Sequence, residues 1–270
     1  MSVDVRKTYK LYAGGEFVRS ESGRSYALDG VNVPRASRKD ARDAVRAARA
    51  AFPGWSRRTA MNRGQVLYRV AEMMDARRAQ FVRLLGGGRE ARREVDLAVE
   101  AWVWFAGWTD KLSQFAGTVN PVAGPYFNFT FPEPTGVVGL VAADTPALLP
   151  LVRRLAAVLC GGNTCVVVAP EASPLPALVL GEVLATGDLP AGAANILSGR
   201  RAEMVPGLAA HMDVNAIDPA GCSATESKAV EKAAAGNVKR VARLAPEDEL
   251  SPYAVTAFME MKTVWHPVGT

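Results

Sequence analysis

Residues 136–199 alternate short apolar runs with helical stretches, and this pattern limits the possible folds more than any other feature of the chain. The runs at 137–141 and 166–168 are almost wholly apolar, which is typical of strands buried on both faces of a parallel sheet. Each run is followed by a segment long enough for a helix, as in βαβ units. Further elements are predicted as strands at 195–197, 214–217 and 238–244, and as a helix at 223–236. The stretch therefore predicts an α/β fold with helices on both faces of a parallel sheet.

The segments on either side follow other patterns. Residues 9–19 alternate about Gly14 and Gly15 and predict a hairpin. Period-two alternation over 126–131 predicts a strand, which Pro132 and Pro134 should stop. Three helices are predicted, at 39–51 (opened by Ser37 and ended at Pro53), 60–85 and 90–115. In the tail, 257–265 alternates again and predicts a terminal strand, with Met259, Met261 and Trp265 on one face.

Composition excludes several classes of function. The chain has 270 residues, a net charge of +5 and only two histidines, His211 and His266, so no metal site is expected. Three cysteines do not make a disulfide framework. Arginines are mixed with acidic residues, which is typical of an ion-paired surface and not of nucleic-acid binding. No apolar run is long enough to cross a membrane, and no secretory signal is recognisable, so we expect a cytoplasmic protein.

Ligands of a doubly wound sheet bind at the carboxyl ends of its strands, so those ends are where candidate site residues lie. No GxGxxG motif follows any strand. The amide groups of Gly221, Cys222 and Ser223 precede a helix and could hold a phosphate, or could simply be a capped helix start. Asp144 and Glu171 could accept hydrogen bonds from ribose hydroxyls, or could be surface carboxylates. The remaining candidates for a cofactor contact are Ala142, Thr145, Pro170 and Gly199.

Several segments, taken together, resemble the aldehyde dehydrogenase superfamily. EPTGVVGLVAADTP at 133–146 is similar to the family's EPVGVVGxIxPWNFP, and DLPAGAANILSG at 188–199 to its GLPPGVVNVLTG. Further similarities, in chain order, are YKLYAGGEFV, YFNFTFPEP, CGGNTCVVVAPEASPLPAL, AAAGNVKRV and MEMKTVW. The resemblance implies a Rossmann-type parallel sheet with N-terminal helices, an oligomerisation hairpin and a C-terminal strand. It also implies NAD or NADP as a cofactor.

The family's catalytic residues are not recognisable in this chain. In the family a cysteine thiolate attacks the aldehyde, an asparagine holds the oxyanion and a glutamate activates water. The position of the oxyanion asparagine falls near Asp144 or Thr145, and the cofactor-binding lysine falls on Ala169. The family's ELGGK motif reads RLAPE here, with Leu244 near the position of the glutamate. None of the three cysteines has the family's cysteine context, so no catalytic residue is predicted.

The resemblance divides the chain into parts. Residues 1–244 are predicted to be a cofactor-binding domain, with 120–135 as its oligomerisation hairpin. Residues 245–252 read as a polar linker in place of the catalytic domain, and 253–270 as a C-terminal oligomerisation strand.

Three functions stay open from the sequence. The first is a non-catalytic subunit that oligomerises with itself or with a full-length aldehyde dehydrogenase. The second is an NAD(P)-dependent aldehyde dehydrogenase that is active only in a complex. The third is a dinucleotide-binding sensor. Binding of NAD or NADP is possible but expected to be weak or lost, because Ala169 and Ala172 stand where the family has ribose-binding side chains.

Overall fold

A computed structural model describes residues 7–269. Its strands, in chain order, are β1 (Leu11–Ala13), β2 (Glu16–Val18), β3 (Ser25–Leu28), β4 (Val31–Pro34), β5 (Thr118–Asn120), β6 (Tyr126–Pro134), β7 (Val137–Val141), β8 (Thr164–Val168), β9 (Ala194–Leu197), β10 (Ala216–Asp218), β11 (Arg240–Val241) and β12 (Met259–Pro267). Its α-helices are α1 (Arg38–Ser56), α2 (Ala60–Asp75), α3 (Arg78–Leu84), α4 (Gly88–Trp108), α5 (Leu112–Ala116), α6 (Leu149–Cys160), α7 (Leu175–Thr186), α8 (Arg201–Ala210), α9 (Ala224–Ala234) and α10 (Pro252–Thr256).

The main sheet has the order β11-β10-β7-β8-β9-β1-β2. Strands β7 to β11 are parallel, and the β1–β2 hairpin extends the sheet antiparallel to β9. The chain runs outward from β7 to β9 and then returns to place β10 on the other side of β7. This reversal makes the β7–β10 border the topological switch point, where ligands of doubly wound sheets bind. The predicted α/β fold is confirmed.

Helices cover both faces of this sheet. Helices α1, α8 and α9 contribute to a core on one face, with Val45, Leu208 and Val230 buried in it. Helices α2, α4, α6 and α7 pack on the other face, where Trp55 and Trp102 are fully buried. The continuous apolar runs of the sequence are therefore explained, because strands such as β7 and β8 have no exposed face.

The N-terminal helices differ from their predicted bounds. Ser37 caps α1 as predicted, with a capping box to Asp40, but the helix continues through Pro53 to Ser56 and buries Trp55. Burial of this large side chain offsets the hydrogen bond that proline removes. The helix predicted at 60–85 is broken at Arg77, whose ψ of 11° departs from helical values. The one predicted at 90–115 is broken likewise after Trp108.

A separate three-stranded sheet has the order β12-β6-β5. The register of β6 with β12 runs from Met259 opposite Pro134 to Pro267 opposite Tyr126. The prediction that Pro132 and Pro134 end the strand is wrong. Beyond the stretch that pairs with β5, β6 has a neighbour on one side only, and an edge tolerates proline because no N–H is needed there.

The segment that joins the two sheets is structured. The strand predicted at 238–244 is reduced to β11, because Val238 takes a left-handed conformation with φ of 55°. The polar stretch 245–252 forms a 3-10 turn at Pro246–Asp248 and leads into α10, from which Ala254 and Val255 are buried. Among residues 7–269, no helix is long and apolar enough to span a bilayer.

Candidate functional site

The carboxyl ends of β7 and β10 meet at the switch point, and we call the space between them the crevice. The N–H of Gly221 donates to the carbonyl of Val141 at 2.8 Å, which ties the turn after β10 to the end of β7. A Cβ at Gly221 would lie 2.0 Å from the carbonyl oxygen of Ala142, so only glycine fits this approach. The structure therefore brings the candidates on these two loops together.

The amide groups proposed to hold a phosphate are already bonded within the chain. Besides Gly221, the N–H of Cys222 donates to the carbonyl of Pro219 at 2.8 Å. The N–H of Ser223 donates to the carboxylate of Glu226 at 2.7 Å, and the Ser223 hydroxyl accepts from Glu226 N–H in a capping box. The backbone donors at this helix N-terminus are therefore satisfied within the chain. The Glu226 carboxylate takes the position that a bound anion would need.

The two candidate carboxylates are also engaged. Asp144 accepts a hydrogen bond from the Ala172 N–H at 3.0 Å and forms an ion pair with Arg201. Glu171 accepts from Arg200 at 2.7 Å and from the Arg201 N–H at 2.9 Å. Burial raises the pKa of Asp144, but its hydrogen bond and Arg201 outweigh that effect and hold the pKa below its ordinary value. Both carboxylates therefore fasten the start of α8 to neighbouring loops.

Three further candidates shape the backbone. Ala142 and Pro170 are buried directly after β7 and near the end of β8. Gly199 has φ of 150°, and a Cβ there would lie 3.0 Å from the Ala36 nitrogen. Glycine is thus required by both conformation and space. Thr145 is exposed beside the crevice.

No cysteine of the described residues has an activated thiol. Cys160 at the end of α6 and Cys165 in β8 are buried, and burial raises the pKa of both, that of Cys160 to about 12. Cys222 is half-buried at the crevice, and burial followed by the charge of Glu226 raises its pKa to about 11. Thiolate is the reactive form of cysteine, so these environments suppress nucleophilic chemistry.

A cavity of about 230 Å³ lies at the crevice. Its lining combines the candidates Ala142 and Thr145 with two charged residues that the sequence did not single out, Arg154 and Glu249. Arg154 Nε lies 2.9 Å from Asp218 Oδ2, and its Nη1 donates to Glu249 at 2.5 Å. Two features of the sequence could have revealed these buried charges. Arg153 and Arg154 lie within the otherwise apolar α6, and Asp218 ends the otherwise apolar β10.

The pKa of Asp218 shows the balance of forces in this group. Its burial raises the pKa above the ordinary value, and the positive charge of Arg154 and the Ala220 N–H only partly oppose that effect.

Among residues 7–269, no cluster of three or more His, Cys, Asp or Glu side chains is placed to hold a metal ion. The charged groups of the crevice thus lie in ion pairs with one another, while Arg154 Nε, Asp218 Oδ2 and two guanidinium nitrogens of Arg201 make no hydrogen bond within the described part of the chain.

Comparison with known proteins gives a consistent result. The profile of the "Aldehyde dehydrogenase family" matches residues 29–245. Human retinal dehydrogenase 2 is 33% identical over 251 residues, which are 87% of this chain and 48% of that protein. The putative aldehyde dehydrogenase DhaS of Bacillus subtilis (strain 168) is 32% identical over 87% of this chain and 50% of its own length. The chain thus spans about half the length of these relatives.

Solved structures agree in fold. The NAD⁺ complex of an aldehyde dehydrogenase from Bacillus cereus superposes with a TM-score of 0.80 at 26% identity, over 87% of this chain and 50% of that one. PnpE in complex with nicotinamide adenine dinucleotide gives a TM-score of 0.81 at 27% identity with the same coverage. The match in sequence and in architecture leads to one conclusion: the chain belongs to the aldehyde dehydrogenase family.

Proposed function

We propose that this chain is a non-catalytic member of the family that acts as a subunit of an oligomer. The observation that carries the proposal is the state of the thiols, since a covalent aldehyde dehydrogenase needs an accessible thiolate. Loss of a catalytic nucleophile costs roughly 10⁶-fold in kcat in enzymes that depend on one. A half-buried Cys222 with a pKa of about 11 supplies almost no thiolate at neutral pH.

The cofactor is proposed to bind weakly or not at all. The relatives of known structure include NAD⁺ complexes, so NAD and NADP are the ligands to test. Against tight binding stand the engaged amides of Gly221 to Ser223 and the ion pair of Asp144 with Arg201. Ala169 is fully buried and carries no polar group that could reach a ribose. Calorimetric titration with each dinucleotide at millimolar concentration should give no heat of binding.

The division of the chain follows from the same reasoning. Residues 1–244 form the proposed cofactor-domain unit, and 120–135 its oligomerisation hairpin. Residues 245–252 replace a catalytic domain, and 253–270 supply the second oligomerisation element. Pairing of β12 with β6 supports this division, because it joins the last two parts in one small sheet. The unpaired cysteines are in keeping with the proposed cytoplasmic location.

The small sheet is the proposed assembly surface. Trp265 and Val119 are 58% and 67% exposed, and Tyr126, Phe127 and Met261 are also exposed. Strand β12 offers nine residues of edge, since β6 is its neighbour on one side only. Exposed apolar side chains beside an open edge favour pairing with another strand. The partner is a second copy or a full-length relative.

The assembly is tested by measuring the mass of the pure chain in native solution. We expect a dimer or larger species that Trp265→Lys converts to monomer, because the charge would be desolvated at the interface. Met212→Lys is the matched control, since Met212 is also an exposed apolar residue, at 71%, but lies outside the small sheet, two residues after α8. A wild-type monomer at tens of micromolar concentration, or a Trp265→Lys variant that assembles normally, would contradict the self-assembly.

Two other functions have support from particular observations. Family membership supports a dehydrogenase that is active only in a complex, and NADH formation from aldehydes by the copurified assembly tests it, with Cys222→Ser as the comparison. The topological switch point supports a dinucleotide sensor. Measurable affinity for NAD or NADP without turnover would favour the sensor over the non-binding subunit.

A further inference from the structure

Glu249 lies in the segment 245–252 and is the centre of a buried charge network. Its side chain is 13% exposed, although it directly follows the acidic residues Glu247 and Asp248. One carboxylate oxygen accepts from Arg154 at 2.5 Å, and the other lies 3.4 Å from Arg153. A carboxylate held by two guanidinium groups on α6 fixes the middle of the segment to the main sheet's helical layer.

The network continues from Glu249 into the crevice. Arg154 bridges Glu249 to Asp218, which is the last residue of β10. Asp218 in turn accepts a hydrogen bond from the Ala220 N–H at 2.9 Å, in the turn that approaches β7. The segment is therefore linked to the crevice by an unbroken series of charged contacts.

Both ends of the segment are fixed independently. On the N-terminal side, the Ala242 N–H donates to the Ile217 carbonyl at 2.9 Å. On the C-terminal side, Val255 and Phe258 are fully buried, and Tyr253 packs edge-on against Phe115 at a ring distance of 5.6 Å. Between these anchors, Glu249 is the charged contact that holds the segment against α6.

We propose that residues 245–252 form a strap that closes the crevice, with Glu249 as its latch. Glu249 and Arg154 form part of the lining of the cavity of about 230 Å³ at the carboxyl ends of β7 and β10. Typical small-molecule sites are about 300–1,000 Å³. A ligand larger than this cavity therefore fits between the ends of β7 and β10 only when the latch releases. The strap regulates access to the crevice of the proposed cofactor domain, and this role rests on the proposal that 245–252 stand in place of a catalytic domain.

Hydrogen exchange of the full chain, without cofactor or partner, tests the strap. Glu249→Gln keeps the shape of the side chain but removes its charge, so the latch weakens. We expect amides in 244–251, including Asp248, and in the crevice turn, including Gly221, to exchange about tenfold faster or more. Glu247→Gln, an exposed glutamate of the same strap, should leave both regions unchanged.

Equal exchange in Glu249→Gln and Glu247→Gln would overturn the strap, as would faster exchange confined to 244–251 with no change at the crevice turn. If Glu249→Gln fails to fold, Arg153→Met removes only the longer, outer contact and should give a smaller acceleration in the same two regions. Unchanged exchange in Arg153→Met would then refute the latch. Because no dinucleotide is added and every variant keeps the small sheet unchanged, the comparison between variants does not depend on whether the chain binds NAD or assembles.

Discussion

Asn163 fastens the C-terminal strand to the main sheet, and its removal gives the sharpest test of how the two are joined. The side chain is fully buried between α6 and β8. Its Oδ1 accepts from the Gly136 N–H at 2.9 Å, just before β7, and its Nδ2 donates to the Phe258 carbonyl at 2.9 Å, just before β12. One amide group thus bridges the entry points of both sheets.

The magnitude of the effect of Asn163→Ala follows from what each partner loses. The Gly136 N–H becomes a buried donor without a partner, which costs about 1–3 kcal/mol. The Phe258 carbonyl keeps a bond from the Thr135 N–H at 3.2 Å, so its loss is about 0.5–1.5 kcal/mol. We expect the free energy of unfolding to fall by about 2–4 kcal/mol.

Urea unfolding followed by circular dichroism measures this change, provided that the slope m is unaltered. Asn163→Asp should lose less than Asn163→Ala at low pH, where a carboxyl group can donate as well as accept. Asn32→Ala, at an exposed position in β4, is the control and should stay within about 0.5 kcal/mol of wild type. A loss in Asn163→Ala no larger than that control would refute the bridge.

Three further predictions concern the crevice. Cys222 should react with a thiol reagent at pH 8 far more slowly in the native chain than in urea, because its pKa is raised to about 11; equal rates would show that folding does not suppress the thiol. Folding lowers the pKa of Asp144, so Asp144→Asn should lower the free energy of unfolding at pH 7. The difference in stability between variant and wild type should fade as the pH falls below 3.8, as measured by unfolding at a series of acid pH values. Gly221→Ala should destabilise the fold by about 1–3 kcal/mol, because the added Cβ meets the Ala142 carbonyl. Gly54→Ala, in open space on α1, should stabilise the fold by about 0.5–1 kcal/mol. Thermal melts of the two variants compare these effects.

The main sheet could be predicted because its strands are buried on both faces. Apolar runs such as those at 137–141 and 166–168 leave few alternatives to central parallel strands. The prolines misled the prediction twice, at Pro53 inside α1 and at Pro132 in β6. In both places tertiary context decided: a buried tryptophan extends the helix, and an edge position removes the need for the missing N–H.

The places of the candidate residues at the strand ends could be predicted, but the bonds among them could not. Asp144, Glu171 and the turn at Gly221–Ser223 are where the strand ends put them, yet their partners are distant in sequence. Arg201 reaches Asp144 across 57 positions, and Glu249 reaches Arg154 across 95. Such pairings depend on three-dimensional packing, and local patterns carry no signal for them.

The prolines of β6 have a consequence for how far an assembly can grow. Strand β5 pairs with residues 128–130 of β6 and leaves the rest of that side of β6 uncovered. In a strand, the nitrogens of every second residue face the same side. Pro132 and Pro134 are two such residues in the uncovered part. Strand β12 pairs with the other side of β6 along this whole stretch, so the two proline nitrogens face the uncovered side. Because proline has no N–H, this side lacks the hydrogen-bond donors that an incoming strand needs. The nine-residue edge of β12 is the long open edge of this sheet, the other being the three residues of β5, and two copies joined at β12 about a two-fold axis would use up each other's long edge. In the proposed assembly, association through β12 therefore ends at a closed pair.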